Sequence, residues 1–421
     1  MQHSPIAVLD IGSTETRVLL CDLGANDELR VLAFGAEPTL GVRKGAIINT
    51  DNVAASIQAA VRRASQMSGM TITSLVVSVG GTDIKVQEGS GLISVGQIDG
   101  EVTQSDVDRA IDSIYTRTIV SPNREVIRVE PVAYKLDDQD DLKDPVGLRG
   151  LRLEVRALIT TVGVQHTKLI EKAIHTAGYE VQAFVPEYIA TTRATLSPRM
   201  REAGVALCHI GAQYTTLAVY EDDCLLMLTH IPVGGSHVTN DVVLFLRSTL
   251  EVAEQAKMKY GHALPDMVNP RQGIDLIEFD PSEDFVASQQ EMSEAIAARL
   301  EELFELVNKE LRLVNKERKL PAGIVLSGGG ALIPGTVELA KGVVGMSVML
   351  ARPPRLTGLV DKLDPLTAAP LIGLAFLASE DIDLASGSNS GPAASGVMGS
   401  VGQAFRRALQ AVGKFIKNLL P

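Results

Sequence analysis

Residues 6–21 read Ile6-Ala7-Val8-Leu9-Asp10-Ile11-Gly12-Ser13-Thr14-Glu15-Thr16-Arg17-Val18-Leu19-Leu20-Cys21. An apolar strand (Ile6 to Leu9) meets a polar turn (Asp10 to Thr14) and a second apolar strand (Arg17 to Cys21), which is the pattern of a hairpin. The turn carries a carboxylate and two hydroxyls. The layout returns at 204–220, with Val205 to Ile210, the turn Gly211-Ala212-Gln213-Tyr214-Thr215, and Leu217 to Tyr220. A unit repeated once in this way indicates two related halves. A third turn follows the strand Gly323 to Leu326: Ser327-Gly328-Gly329-Gly330-Ala331, ahead of a helix from about Gly335.

Outward from these turns, the spacing of Val53, Ile57, Ala60 and Val61 predicts a helix over 51–68 with Asp51 as its cap. The strand Leu75 to Val79 closes on Gly80-Gly81. Residues 83–161 have a different texture and read as a compact α+β insertion. It comprises strands Ile84 to Gln87 and Gly91 to Val95, a helix Ser105 to Tyr115, strands near 126–135 and 151–160, and a solvated loop from Asp137 to Asp144 with five aspartates. Helical periods follow at 164–177, 236–260 and 289–316.

The chain has 421 residues, too many for one core. Its net charge of -12, 4% aromatic content and lack of Trp argue against nucleic acid, which needs a basic face or stacking rings. Cys21, Cys208 and Cys224 are odd in number, lack CxxC spacing and sit in apolar runs, so they read as buried reduced thiols of a cytosolic protein. No signal peptide is apparent, and no apolar run approaches the roughly 20 residues of a spanning helix.

After Asp383 the composition turns to Gly, Ser and Ala, and 385–400 reads as a flexible linker. In 401–421, Val401, Phe405, Leu409, Val412, Ile416 and Leu420 recur at three- and four-residue steps, with Phe415 and Leu419 widening the stripe. The only charges there are Arg406, Arg407, Lys414 and Lys417. A cationic amphipathic helix on a tether is the composition of an anchor lying in an anionic membrane surface.

Small-residue turns let backbone N–H groups approach phosphate oxygens, so two hairpin turns and a Gly-rich loop in this order fit a nucleotide held between two lobes. That order resembles the actin/Hsp70/sugar-kinase superfamily. Leu9 to Thr14 corresponds to its first phosphate motif, and Leu326-Ser327-Gly328-Gly329-Gly330-Ala331-Leu332-Ile333-Pro334-Gly335 to its adenosine motif. More specific likenesses are to the FtsA family of bacterial cell-division proteins. They lie at Gly41 to Ile47, Val79-Gly80-Gly81, Pro145 to Val155, Pro232 to Gly235 with Thr239-Asn240-Asp241, and Ala253 to Lys257. The resemblance extends over essentially the whole chain.

The resemblance implies an α/β, actin-like two-lobed fold of ribonuclease-H-like halves, with an inserted α+β subdomain and a C-terminal amphipathic helix. Subdomain 1A would span 1–82 and 162–203, and 1C would span 83–161. Subdomain 2A would take 204–231 and 321–384, its end returning to the first lobe, and 2B would take 232–320. It further implies ATP and Mg²⁺ as cofactors, with Asp10 holding the metal through water. Gly12, Ser13 and Thr14 would flank the phosphates from one side, and Gly211, Gln213, Tyr214 and Thr215 from the other. Glu254 and Lys257, one helical turn apart, would contact ribose and base, with Gly235 nearby and Gly328, Gly329 and Gly330 beneath the adenosine. Implied partners are the C-terminal peptide of the tubulin-like FtsZ, further copies in protofilaments, anionic membrane lipids and downstream division proteins. The implied location is the cytoplasmic face of the cell membrane at the division site.

One turn departs from the family pattern. Where relatives place an Asp on each side of a Gly-Gly-Gly turn, this chain has His209 and Thr216 around Ala212, Gln213 and Tyr214. A neutral histidine cannot replace an anion beside metal-bound water, so hydrolysis is expected to be slow or absent. Two other readings keep the fold: the actin-like scaffold of type IV pilus machines (PilM-like), which needs no membrane helix, and a small-molecule kinase or phosphohydrolase, which needs a carboxylate near the terminal phosphate.

Overall fold

The computed structural model describes residues 5–386 apart from 24–27, 97–98, 119, 355 and 360–362. The linker beyond Ser386 and the amphipathic stripe from Val401 to Leu420 lie outside the described residues.

The chain opens with β1 (Ile6–Ile11), β2 (Glu15–Leu23) and β3 (Leu29–Pro38), then a short ribbon of β4 (Val42–Arg43) and β5 (Ala46–Ile47). Helix α1 (Thr50–Ser68) and β6 (Ser74–Val79) follow. The apolar face of α1 is buried as its period requires, but its cap is Asn49, whose side chain accepts from the Asn52 amide at 3.0 Å. Asp51 instead sits in the first turn, where a negative charge faces the helix dipole.

The insertion is β7 (Lys85–Ser94), α2 (Gln104–Arg117), β8 (Arg124–Leu136), β9 (Gln139–Leu142) and β10 (Arg152–Gly163). The two expected strands at 84–95 are one, since Gly89 and Gly91 pack where side chains would collide with Ile159 and the Ala110 carbonyl. The aspartate-rich stretch is not wholly loop either. Residues 139–142 pair with β8, and Asp137 accepts the amides of Leu151 and Arg152. Val107, Ile111 and Ile114 of α2 close a core with Val129, Leu153, Val155 and Ile159, separate from the rest of the molecule.

The chain continues through α3 (Val164–Thr176), β11 (Glu180–Pro186), α4 (Glu187–Thr195) and α5 (Pro198–Ala203). The second half then repeats the start with β12 (Val205–Ile210), β13 (Thr215–Glu221) and β14 (Cys224–Ile231). Residues 236–260 form two helices, α6 (Gly235–Leu246) and α7 (Leu250–Tyr260), because Arg247 turns left-handed at φ 55°. Then come β15 (Gly273–Asp275), β16 (Val286–Ser288), α8 (Gln289–Leu313), β17 (Ile324–Ser327), α9 (Thr336–Val344), β18 (Val348–Leu350), β19 (Thr357–Gly358) and α10 (Ala369–Ser386).

Two sheets carry the halves, in strand orders β11-β6-β1-β2-β3-β19 and β14-β13-β12-β17-β18. In each, an antiparallel hairpin is joined by a parallel strand to its first arm, β6 beside β1 and β17 beside β12. The chain leaves the second lobe after β18, since β19 pairs with β3 and α10 packs against α4, β1 and β2. Residues 232–320 have no core of their own. Ile296, Leu300 and Phe304 of α8 share one with Ile210, Leu217 and Leu326 of the second sheet. Cys21 and Cys208 are buried and Cys224 is half-buried. No helix among the described residues is long and apolar enough to cross a membrane.

The α10–α4 contact is made at backbone distance: a Cβ on Gly373 would lie 1.7 Å from the Ala190 carbonyl oxygen. Gly373→Val is expected to lower stability by roughly 3 kcal/mol through overpacking. Gly342→Ala in α9, where nothing lies within 4 Å of the added carbon, should raise it by about 0.8 kcal/mol. Urea unfolding of the two variants checks both signs.

Candidate functional site

Both hairpins close on the same bond. The amide of Gly12 donates to the Glu15 carbonyl and that of Gly211 to the Tyr214 carbonyl, each at 3.1 Å. In register, Asp10 pairs with Arg17 and His209 with Thr216, so Asp10 and His209 hold equivalent places in the two halves. Among the described residues, the amides of Ser13, Thr14, Ala212 and Gln213 find no acceptor. Backbone donors left free at two facing turns form a cradle for an anion.

The tips face each other across an interlobe cleft of about 990 Å³. Its wall contains Asp10, Gly12, Ser13, Thr14, Gly211, Gln213, Tyr214, Gly235, Glu254, Lys257, Gly328, Gly329 and Gly330. Thr215 is not part of it: its wholly buried hydroxyl donates to the Val233 carbonyl at 2.7 Å.

The third loop reaches the cleft because it packs on the second hairpin. Gly328 sits at φ 85°, a left-handed value suited to glycine, and a Cβ there would come within 2.4 Å of the Ile210 carbonyl oxygen. On Gly330 it would meet the Ile210 side chain at 2.3 Å. The start of α6 docks on the same turn, as the amides of Gly235 and Ser236 donate to the carbonyls of Gly211 and Ala212 at 2.9 and 2.8 Å. Lys257 is buried and spans α6 and α7, with Nζ 2.7 Å from both Thr239 Oγ1 and Glu254 Oε2. Glu254 keeps about half of its side chain exposed. The pair is therefore a structural tie and a polar edge of the cleft at once, rather than a solvated surface pair.

The carboxylates are arranged differently from the expectation. Asp10 accepts from Ser78 Oγ at 2.5 Å, and burial raises its pKa against the pull of that bond and of Arg17. A buried acid that shares the cleft wall with Asp10 is Glu187, at the start of α4. Burial, with the charge of Asp10 added, pushes this carboxyl up to about 7, while a hydrogen bond from Tyr214 acts the other way. His209 lies 3.7 Å from Glu187 (Nε2 to Oε1), and burial, then the nearby Arg17, holds its pKa down at about 4. It is thus neutral at physiological pH. No group of three metal-ligating side chains occurs among the described residues. One carboxylate backed by a hydroxyl suits a hydrated Mg²⁺ shared with phosphate oxygens, not a caged ion.

Sequence reasoning missed Glu187, Ser78 and His166, all on the cleft wall. An acidic residue opening a helix reads as a favourable charge at the dipole, so Glu187 carries no signal that it enters a site. Gln213 and Tyr214 line the cleft and also reach across to the first lobe. Gln213 Oε1 accepts from the Lys44 amide and the Tyr214 hydroxyl donates to Glu187.

Two family models match the chain: the cell division protein FtsA over residues 206–369, and the SHS2 domain inserted in FtsA over residues 81–161. The chain is 32% identical to the cell division protein FtsA of Pseudomonas aeruginosa over 356 residues, 85% of each protein. It is 31% identical to that of Bacillus subtilis over 82% of this chain and 78% of that one. Among solved structures, a chain of a PilM-PilN type IV pilus biogenesis complex superposes with a TM-score of 0.64 at 16% identity, covering 89% of this chain and 98% of that one. MreB5 of Spiroplasma citri bound to ADP does so at 0.53 and 12% identity, over 92% and 100%. The two structural likenesses show a shared actin-like fold.

The environment of Glu187 gives a pH signature. An unfolded Glu ionises near 4.5, while the folded one keeps its proton to about 7. Across that window the folded state binds more protons, so this group makes stability fall as pH rises. Glu187→Gln is expected to gain on the parent in melting temperature between about pH 5 and pH 8. A constant difference across that range would mean the carboxyl titrates normally.

Proposed function

The chain belongs to the FtsA family of cell-division proteins, and from that premise we propose that it is an ATP-binding adaptor that polymerises on the membrane's cytoplasmic face and tethers the FtsZ ring there. The single observation that carries the nucleotide part is the convergence of both hairpin turns and the Gly328–Gly330 loop on one interlobe cleft. Free amides at both tips would cradle the phosphates. Glu254, Lys257 and the glycine loop would take the nucleoside. Asp10, positioned by Ser78, would hold a hydrated Mg²⁺, which when bound offsets phosphate charge.

Turnover is proposed to be slow. Neutral His209 occupies the place of the second hairpin's acid. Glu187, on the cleft wall beside it, has its carboxyl pushed up to about 7 by burial and is bonded to Tyr214. Asp10→Ala is expected to weaken Mg²⁺-ATP binding by roughly tenfold, the worth of a charge-assisted contact, as read by titration with a fluorescent nucleotide. Equal affinity in parent and variant would move the metal away from Asp10.

The membrane part rests on the cationic stripe of residues 401–420. One such helix binds reversibly, and several in a polymer add avidity. The FtsZ peptide is proposed to meet the region 232–320, and downstream division proteins the insertion. The pilus-scaffold reading shares only the fold, at 16% identity. Co-sedimentation with anionic vesicles decides the anchor. The full chain should pellet, more so with Mg²⁺-ATP, and a chain ending at Ser400 should stay soluble. If both stay in solution, the tail is a docking element and the tether reading fails.

A further inference from the structure

The tip of the second hairpin is built to grip the opposite lobe. Tyr214 of the second lobe enters a slot lined by Gly45, Gly80 and Gly81 of the first. A Cβ on Gly45 would come within 3.2 Å of the tyrosine ring, and one on Gly80 within 3.0 Å of its hydroxyl. That hydroxyl accepts from the Gly81 amide at 2.9 Å and donates to Glu187 Oε2 at 2.9 Å. Tyr214 is 9% exposed, and its ring stands edge-on to His230 of its own lobe, with centroids 5.7 Å apart. One residue earlier, Gln213 Oε1 accepts from the Lys44 amide.

Three stretches of the first lobe, around residues 44, 81 and 187, are thus fastened by two neighbouring side chains. In an all-glycine turn, bridging between lobes falls to backbone amides and whatever anion they share. Here side chains do it: the Tyr214 bonds are sheltered from competing water, where hydrogen bonds are worth most, and the Gln213 bond to Lys44 closes the exposed rim beside them.

We propose that Gln213 and Tyr214 form a latch that holds the two lobes closed at the phosphate end of the cleft through protein contacts alone, so that closure does not depend on bound nucleotide. The latch stands on the geometry of the two side chains, and only the identity of the cleft's ligand rests on the reading above. A nucleotide would then report through its own contacts without being the clasp, since a ligand shifts a conformational equilibrium only by binding its two states unequally.

Hydrogen exchange with mass spectrometry on the full chain tests the latch at its own donors, the amides of Lys44 and Gly81. In the parent protein, segments 42–48 and 79–84 should be protected without nucleotide and change less than about twofold with Mg²⁺-ATP. The double variant Gln213→Ala/Tyr214→Phe keeps the turn's backbone and should exchange at least roughly tenfold faster in both segments, with the buried strand 205–210 unchanged. Parent segments that exchange freely until Mg²⁺-ATP is added would overturn the proposal, as would a double variant as protected as its parent. If strand 205–210 also loosens in the double variant, Gln213→Ala alone decides: faster exchange confined to 42–48 upholds the latch, and no change there rejects it. If the double variant opens and Mg²⁺-ATP fails to close it again, the latch stands and the nucleotide assignment is what fails.

Discussion

The packing of α10 on α4 is the contact on which the rest of the structure depends. After completing the second sheet the chain crosses back, and Gly373 brings α10 against the carbonyl of Ala190 with no room for a side-chain carbon. Just ahead of it, the carbonyl of Thr367 accepts from Arg17 Nη1 at 2.6 Å. The first hairpin and the returning chain are thereby tied together. Because β12 and β17 are fixed by the second lobe's own core, this return sets how the two hairpin tips face each other. Leu207, Ala218 and Val325 of the second sheet join the same core as α10 and the first sheet, so the returning chain and the apolar seam together set the angle between the halves.

Within the cleft, electrostatics follow from burial more than from pairing. Asp10 and Glu187 both lie away from water, which makes each harder to ionise, and the charge of Asp10 adds to this at Glu187. A second aspartate at position 209 would add a third negative charge to this group. Neutral His209 adds none, which lets Glu187 sit beside it and accept the Tyr214 hydroxyl. A neutral His209 and a bridging Tyr214 are thus physically coherent: the hairpin carries bonds between lobes without adding charge to the cleft.

The same small region is the root of the inserted subdomain. The Gly80 carbonyl meets His166 Nε2 at 3.1 Å, and three residues on, Asp83 accepts from Arg124 and from the Gly163 amide at 2.9 and 2.7 Å. Arg124 also donates to the Asp83 and Thr161 carbonyls. Burial opposes ionisation of Asp83, but these bonds prevail and hold its carboxyl below the usual range. The insertion keeps an independent core yet leaves the body through a ring of charge-assisted bonds, which fix orientation better than apolar contact does.

Much of this was determined by the sequence alone. Apolar runs broken by small polar turns specify both hairpins, because a strand period and a turn residue are local properties. The same holds for the face of α1, whose period already names Val53, Ile57 and Val61, and for the glycine loop at 328–330. What only the tertiary structure decided are the partners that meet from distant segments. Asn49 rather than Asp51 caps α1 because the entering chain there is extended at the cap. The aspartate-rich stretch forms part of a strand because β8 offers it an edge. Glu187 becomes a buried acid of the cleft, and Tyr214 a bridge, because folding sets residues 44, 81, 187 and 214 side by side. Local spacing carries no information about such pairs: side-chain chemistry is written in the sequence, but the burial and proximity that give it a role belong to the packed fold.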